Sequence, residues 1–207
     1  VEKYKYETMA AYRKHADKFA EKFGKLTDIA RRKEFKTFLD LLQGNKILDI
    51  GCGSGDHAVY FKGCGLDVTC IDLSPEMVQI CKEKGLNATV MDMENMTFPP
   101  ESFDGIWAVT SLLHVPKAKF SKVVISIHEM LKSSGVLYVC MKKGGGEGMI
   151  ADGEGNTNRF FSFWEEQDLI NEFKEYFDVI KPASTPLMTP EYLCQNKDYV
   201  MIFFRKK

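Results

Sequence analysis

From Lys46 to Met141 the chain alternates short apolar runs with amphipathic helical patterns, and no other feature constrains the fold so strongly. Strands are expected at Lys46–Ile50, Asp67–Ile71, Ala88–Met91, Phe103–Val109 and Gly135–Met141. Helices are expected between them, near Asp56–Gly63, Pro75–Lys84 and Lys117–Lys132, the last with Phe120, Val123, Val124, Ile127 and Leu131 facing inward. Repeated strand-helix units with right-handed crossovers cover both faces of a parallel sheet, so the fold class is α/β.

The flanks follow the same rules. Tyr12, Ala16, Phe19 and Phe23 recur at helical spacing between Tyr6 and Gly24, and Phe35, Phe38, Leu39 and Leu42 mark a second helix that stops at Gly44-Asn45. Beyond Met141 the stretch from Lys142 through Gly148 to Asn156 is rich in glycine and polar residues and reads as a loop. A helix over Glu165–Tyr176, a short strand at Asp178–Lys181 and a last strand at Tyr199–Arg205 complete the chain, the last two joined through Pro182, Pro186 and Pro190. There is no internal repeat and no linker, so residues 46–207 are expected to form one unit preceded by a helical segment, residues 1–45.

Composition narrows the function. The chain has 207 residues and 44% apolar side chains, enough for one core without disulfides or structural metal. Its 28 basic and 29 acidic residues leave a net charge of -1, which argues against a broad field for duplex nucleic acid. The longest apolar runs, Val136–Met141 and Tyr199–Phe204, span six residues each, far short of the roughly 20 that a membrane helix needs. The N-terminal Val-Glu-Lys-Tyr-Lys-Tyr lacks the layout of a secretion signal, and a cytoplasmic location is expected. None of the six cysteines pairs at C-x-x-C spacing, so no metal site is expected and the thiols act as small hydrophobes.

The chemistry begins where the first strand runs into Gly51-Cys52-Gly53-Ser54-Gly55. Glycines at alternate positions let backbone approach a ligand, and the following helix presents free N–H groups. A dinucleotide fingerprint would need Gly at position 56, where Asp56 stands. Asp72 ends the second strand 21 residues after Gly51, one βαβ unit on, where an acid can accept hydrogen bonds from both ribose hydroxyls. Ser74-Pro75 then caps the next helix.

These residues resemble the class I S-adenosylmethionine-dependent methyltransferases, in the compact branch with many small-molecule enzymes. Asp49-Ile-Gly51-Cys52-Gly53-Ser54-Gly55 looks like the first motif of that family and Asp72-Leu73-Ser74-Pro75-Glu76-Met77 like the second. The resemblance implies a seven-stranded, mostly parallel sheet in which Tyr199–Arg205 runs antiparallel. It implies that Gly51, Cys52, Gly53, Gly55 and Asp72 hold S-adenosylmethionine, with S-adenosylhomocysteine as product. Asp92 and Met93 would receive the adenine, Leu73 and Met77 would pack on it, and the Ala108 backbone would accept the methionine amine. Tyr12-Arg-Lys-His-Ala16-Asp-Lys-Phe19 resembles the family's N-terminal pattern, which implies that residues 1–45 form a helical lid.

On the acceptor side, His114 falls where relatives carry a histidine, as a base or as a pocket wall, although relatives often have two adjacent histidines and here Leu113 precedes it. Tyr12, Trp107, Lys142, Arg159 and Phe160 are the other residues expected to meet the acceptor. Pro99-Pro100 precedes the fourth strand, whereas amino-methylases of nucleic acid bases carry such a pair after it. The expected reaction is in-line transfer of the sulfonium methyl to a small-molecule nucleophile by a monomer or homodimer. An RNA or protein methyltransferase, or a non-catalytic S-adenosylmethionine-binding protein, is the alternative. A nicotinamide oxidoreductase is disfavoured by the Gly-x-Gly-x-Gly spacing.

Overall fold

Period-two alternation along the apolar strands sets the architecture, because successive side chains leave a strand on opposite faces. The computed structural model describes residues 2–14, 33–152, 157–180 and 199–207. The strands are β1 (Lys46–Ile50), β2 (Asp67–Asp72), β3 (Asn87–Val90), β4 (Phe103–Val109), β5 (Leu131–Lys142), β6 (Glu147–Asp152), β7 (Thr157–Ser162), β8 (Phe177–Ile180) and β9 (Tyr199–Lys206). The helices are α1 (Lys3–Lys14), α2 (Lys33–Leu41), α3 (Asp56–Gly63), α4 (Pro75–Glu83), α5 (Lys117–Met130) and α6 (Glu166–Phe173).

Seven strands form one sheet in the order β3-β2-β1-β4-β5-β9-β8. The first five are mutually parallel, and β9 runs antiparallel to both β5 and β8, as expected for Tyr199–Arg205. On one face Leu48, Ile50, Ile106, Leu137, Val139 and Phe204 pack against Phe120, Val123 and Ile127 of α5 and Leu169 and Phe173 of α6. On the other, Ile47, Cys70, Trp107, Val136, Tyr138 and Phe203 pack against Phe35 and Phe38 of α2 and Phe61 of α3. Strand order reverses between β1 and β4, and at that switch point an open α/β sheet leaves a crevice at the carboxyl ends of its strands.

Two expectations need correcting. The stretch from Lys142 to Asn156 is not a plain loop: β6 pairs antiparallel with β7 from Glu147↔Ser162 to Asp152↔Thr157, a separate two-stranded sheet inserted after β5. Trp107 does not face an acceptor. It is fully buried, its ring lies 4.6 Å from Phe35 and 4.4 Å from Tyr138, and its Nε1 donates to Nδ1 of His57 at 3.0 Å. Trp107 and His57 thus share a core hydrogen bond, the partner a buried indole N–H needs.

The continuation of the first helix to Gly24, with His15, Ala16, Phe19 and Phe23, lies outside the described residues, as do Cys194 and the proline-rich connection. Cys52, Cys64, Cys70 and Cys81 are free thiols. Among the described residues there is no cluster of three metal-ligating side chains, and no helix is long and apolar enough to cross a membrane.

Candidate active site

The glycine turn after β1 exists because three residues take left-handed backbone, with φ of +68° at Gly51, +53° at Gly53 and +78° at Gly55. At Gly51 a Cβ would lie 2.4 Å from the Ser111 Cβ, so glycine is required by close approach. At Gly53 a Cβ would meet nothing within 4 Å, so that backbone borders open space. The Cys52 thiol turns to Cys81, Sγ to Sγ 3.7 Å, which leaves its backbone as what it can offer a ligand.

Asp72 locks this turn to the next one. Its Oδ2 accepts from the Gly53 N–H and its Oδ1 from the Ser74 N–H, both at 2.9 Å, while the Ser74 hydroxyl caps α4 by accepting from the Met77 N–H. Burial raises the Asp72 pKa, and the N–H groups of Ser74, Gly53 and Leu73 counter it in part. The Gly53 and Ser74 bonds fall on different oxygens, so the carboxylate keeps acceptor capacity for a ligand diol. Met77 is 3% exposed.

Two polar groups flank Gly51. Asp49 is 3% exposed, and its Oδ2 has no hydrogen-bond partner among the described residues; neither has Oγ of Ser111. Burial, reinforced by the nearby Asp72 carboxylate, pushes Asp49 up to about 8. Ser111 follows Thr110, whose φ of +51° is strained for a β-branched residue. The pairing of β1 with β4 ends at Asp49↔Trp107, one residue before Ala108, so the Ala108 backbone stands at the crevice. A buried acid without a donor fits a cationic ligand group. The residues present therefore suit the methionine ammonium expected there.

Toward the other end, Asp92 caps the 3-10 turn Met93–Asn95 through the Glu94 N–H at 2.9 Å and takes the Lys5 ammonium at 2.7 Å. Burial opposes its charge, but Lys5 and the Glu94 N–H hold its pKa below the usual carboxylate range. Lys5 also meets Glu94 at 2.8 Å, and Glu94 takes further bonds from Tyr4 and Lys119. Leu73, Asp92, Met93, Glu94, His114 and Val115 line one side of a cleft and Tyr4, Lys5 and Thr8 of α1 the other, enclosing about 330 Å³ counted out to its open mouth. Sequence reasoning singled out neither Asp49 nor Ser111, Lys5 or Thr8. Asp49 stands inside the first motif and was within reach; a lysine and a threonine on a helix give no signal of burial.

The acceptor-side residues converge. His114 ends the 3-10 turn Leu112–His114, with Nδ1 2.6 Å from the Phe160 carbonyl and Nε2 2.9 Å from the Tyr12 hydroxyl. A carbonyl only accepts, so Nδ1 carries the proton and Nε2 accepts from Tyr12. Burial lowers the His114 pKa to about 4; the Phe160 carbonyl opposes that, and Arg159 and Lys142 add to it. Nη1 of Arg159 donates to the Tyr12 hydroxyl at 3.2 Å, and the Lys142 ammonium sits 4.6 Å from the Phe161 ring centre. Phe160 contributes backbone: its N–H donates to Thr8 at 2.9 Å, while its ring packs 5.1 Å from Tyr4.

Comparison with known proteins points the same way. Residues 47–135 match a methyltransferase domain family. Over 104 residues the chain is 35% identical to phosphoethanolamine N-methyltransferase 3 of Arabidopsis thaliana, covering 47% of this chain and 21% of that protein. Over 105 residues it is 30% identical to the ubiquinone biosynthesis O-methyltransferase of Xanthomonas campestris, covering 47% of this chain and 43% of the relative. The chain thus spans less than half the length of the curated relatives it matches. The fold is that of the Burkholderia thailandensis 1,6-didemethyltoxoflavin-N1-methyltransferase, solved with 1,6-didemethyltoxoflavin and S-adenosylhomocysteine: TM-score 0.72 at 18% identity, over 99% of this chain and 89% of that one. A DhpI–S-adenosylhomocysteine complex superposes with TM-score 0.71 at 19% identity, over 97% and 95% of the two chains. Residues 47–135 thus resemble a methyltransferase domain, and the chain shares its fold with S-adenosylmethionine-dependent methyltransferases of known structure.

Proposed function

We propose that the protein transfers a methyl group from S-adenosylmethionine to a small-molecule nucleophile. The observation that carries this reading is the Asp72 carboxylate tied to the Gly53 turn at the sheet's switch point, beside the orphaned Asp49. Gly51, Cys52, Gly53 and Gly55 would line the cofactor with backbone, Asp72 would take its ribose, and Asp49 with the Ala108 carbonyl its ammonium. Asp92, Met93 and Leu73 would receive the adenine, and the helical segment 1–45 would close over the cleft as a lid, with Tyr4, Lys5 and Thr8 already on its rim.

When bound, the cofactor supplies an electrophilic methyl, and the acceptor's lone pair forms the new bond while the electrons of the broken bond stay on sulfur. The chain's part is to orient and to exclude water. His114 at a pKa of about 4 is a weak proton sink, so its task is to hold the Tyr12 hydroxyl over the acceptor. The acceptor arrives with its lone pair free. The named substrates of relatives and neighbours, phosphoethanolamine and didemethyltoxoflavin, are small molecules, which favours such an acceptor here. The free thiols suit a reducing cytoplasm, where a monomer or homodimer would work.

Calorimetric titration tests the cofactor. S-adenosylmethionine and S-adenosylhomocysteine should bind at micromolar concentration, NADH should not, and Asp72→Ala should weaken binding by about 1.5–3 kcal/mol. A wild-type protein that binds neither adenosyl compound would end the proposal.

A further inference from the structure

Lys5 brings a buried ammonium into the cleft from the α1 side with one donor to spare. The residue is 8% exposed, and it shares the cleft with Leu73, Asp92 and Met93, the residues proposed for the adenine. Of its three N–H groups one reaches Oδ2 of Asp92 at 2.7 Å and a second Oε2 of Glu94 at 2.8 Å, while Glu2 stands 3.8 Å away, beyond a hydrogen bond. Burial opposes the ammonium charge, but Asp92 and Glu94 hold its pKa above the usual lysine value, so the remaining donor is a charged one. A buried donor without an acceptor costs free energy that a ligand acceptor recovers.

Asp92 keeps acceptor capacity next to that donor. Its Oδ1 accepts from the Glu94 N–H at 2.9 Å, and its Oδ2 from Lys5 and, at 3.2 Å, from Asn95, which fills three of the roughly four acceptor positions of a carboxylate. Glu94 is held in turn by Tyr4 and Lys119, so Lys5 stays anchored when Asp92 accepts a further bond. The apolar residues Leu73, Met93 and Val115 suit a flat ring whose edge carries a donor beside an acceptor.

Resting on the methyltransferase reading, we infer that Lys5 is a specificity-determining residue for the cofactor's base: it donates to N7 of the adenine while Asp92 accepts from the exocyclic amine. Asp92 and Met93 are consecutive in one turn and together serve one edge of the ring, the amine and N1. Lys5 comes from the opposite wall and stands beside Asp92, where the ring presents N7 on the other flank of the amine. The α1 helix thus does more than cover the cleft, because it reads the base.

The test separates the N7 contact from the cofactor site beneath it. S-adenosylhomocysteine and its 7-deaza analogue, in which a C–H replaces N7, are titrated by calorimetry into wild type and variants. Wild type should bind the analogue about tenfold more weakly, the worth of one bond from a charged donor, and Lys5→Met should bind the two ligands within about twofold of each other. Loosening of α1 in that variant weakens both ligands alike and leaves their ratio untouched, so only loss of the preference reports the contact. Lys5→Arg, which keeps a charged donor, should fall between the two, and its ratio carries the test should Lys5→Met fail to fold. Equal binding of both ligands to wild type, or a full preference that survives in Lys5→Met, overturns the inference and leaves the cofactor assignment standing, whereas a wild type that binds neither ends both.

Discussion

Asp49 is the side chain whose state should change most when a ligand arrives. Burial and the Asp72 charge keep it protonated at pH 7, since its pKa is pushed up to about 8. A ligand ammonium against its orphaned Oδ2 favours the carboxylate, so binding S-adenosylhomocysteine at pH 7 should release up to one proton. Calorimetry in two buffers of different ionisation enthalpy reads that proton directly. Asp49→Asn should abolish the release and weaken binding about tenfold, whereas equal binding enthalpies in both buffers for wild type would take Asp49 out of the site. Two glycines a pair of positions apart offer a contrast of a different kind. Gly51→Ala forces a Cβ to within 2.4 Å of Ser111 at φ +68° and should cost about 1–3 kcal/mol of stability. Gly53→Ala meets open space and should cost about 1 kcal/mol of fold, yet it fills the cradle and should weaken the ligand more than its melting point suggests. Paired melting and binding measurements on the two variants decide whether the turn is divided in this way between packing and binding.

At the scale of elements, α1 is attached by polar anchors. Its buried residues are Lys5, Thr8 and Ala11, and Lys5 sits between Asp92 and Glu94. Removing one member of a buried ion cluster leaves its partners unpaired, so Lys5→Met should cost about 2–4 kcal/mol and should free α1 first. Hydrogen exchange should speed up along Lys3–Lys14 and leave β1, β4 and β5 protected; uniform loss of protection would mean that α1 is integral to the core and no lid. The same helix shows where the sequence stops being legible. The five parallel strands were readable because β1, β4 and β5 are buried on both faces and their apolar runs are bounded by turns, and the Gly51 and Asp72 motifs because each must stand at a strand's carboxyl end. The buried face of α1 was not readable, because Lys5 and Thr8 lie inward through partners that are 87 and 152 positions away along the chain. The β6–β7 hairpin was hidden by Gly144–Gly146, although Asp152-Gly153 between the apolar stretches Met149–Ala151 and Phe160–Phe161 is a hairpin signal. Trp107 was misplaced because strand alternation says which residues share a face, and only the packed helices α2 and α3 say which face is covered by aromatic rings.

For the whole molecule, two of the strongly shifted groups of the site, His114 and Asp49, should shape stability between pH 4 and 8. His114 has a folded pKa near 4 against an unfolded value near 6.5, so between those limits the unfolded chain binds more protons and stability rises with pH. The His128 pKa is also lowered, by burial first, and acts with the same sign below about pH 6.5. Asp49 runs the other way: its folded pKa near 8 lies above the unfolded value of 3.8, so its share of stability is full below about pH 4 and is lost as pH rises to about 8. Asp92 and Asp104 have lowered pKa values and matter only as pH falls toward 4 and below. Between pH 4 and 6.5 the histidine and Asp49 contributions oppose each other, and from pH 6.5 to 8 Asp49 acts without that opposition. One proton over 1.5 pH units amounts to about 2 kcal/mol, which for a chain of this size is about 4–8 °C in melting temperature. The ligand-free protein should therefore melt lower at pH 8 than at pH 6.5, Asp49→Asn should flatten that slope, and saturating S-adenosylhomocysteine should flatten it in wild type by stabilising the carboxylate. A melting temperature that holds or climbs across this interval, with the same slope in Asp49→Asn, would mean that Asp49 is already ionised in the folded protein and that its orphaned oxygen is solvated before any ligand binds.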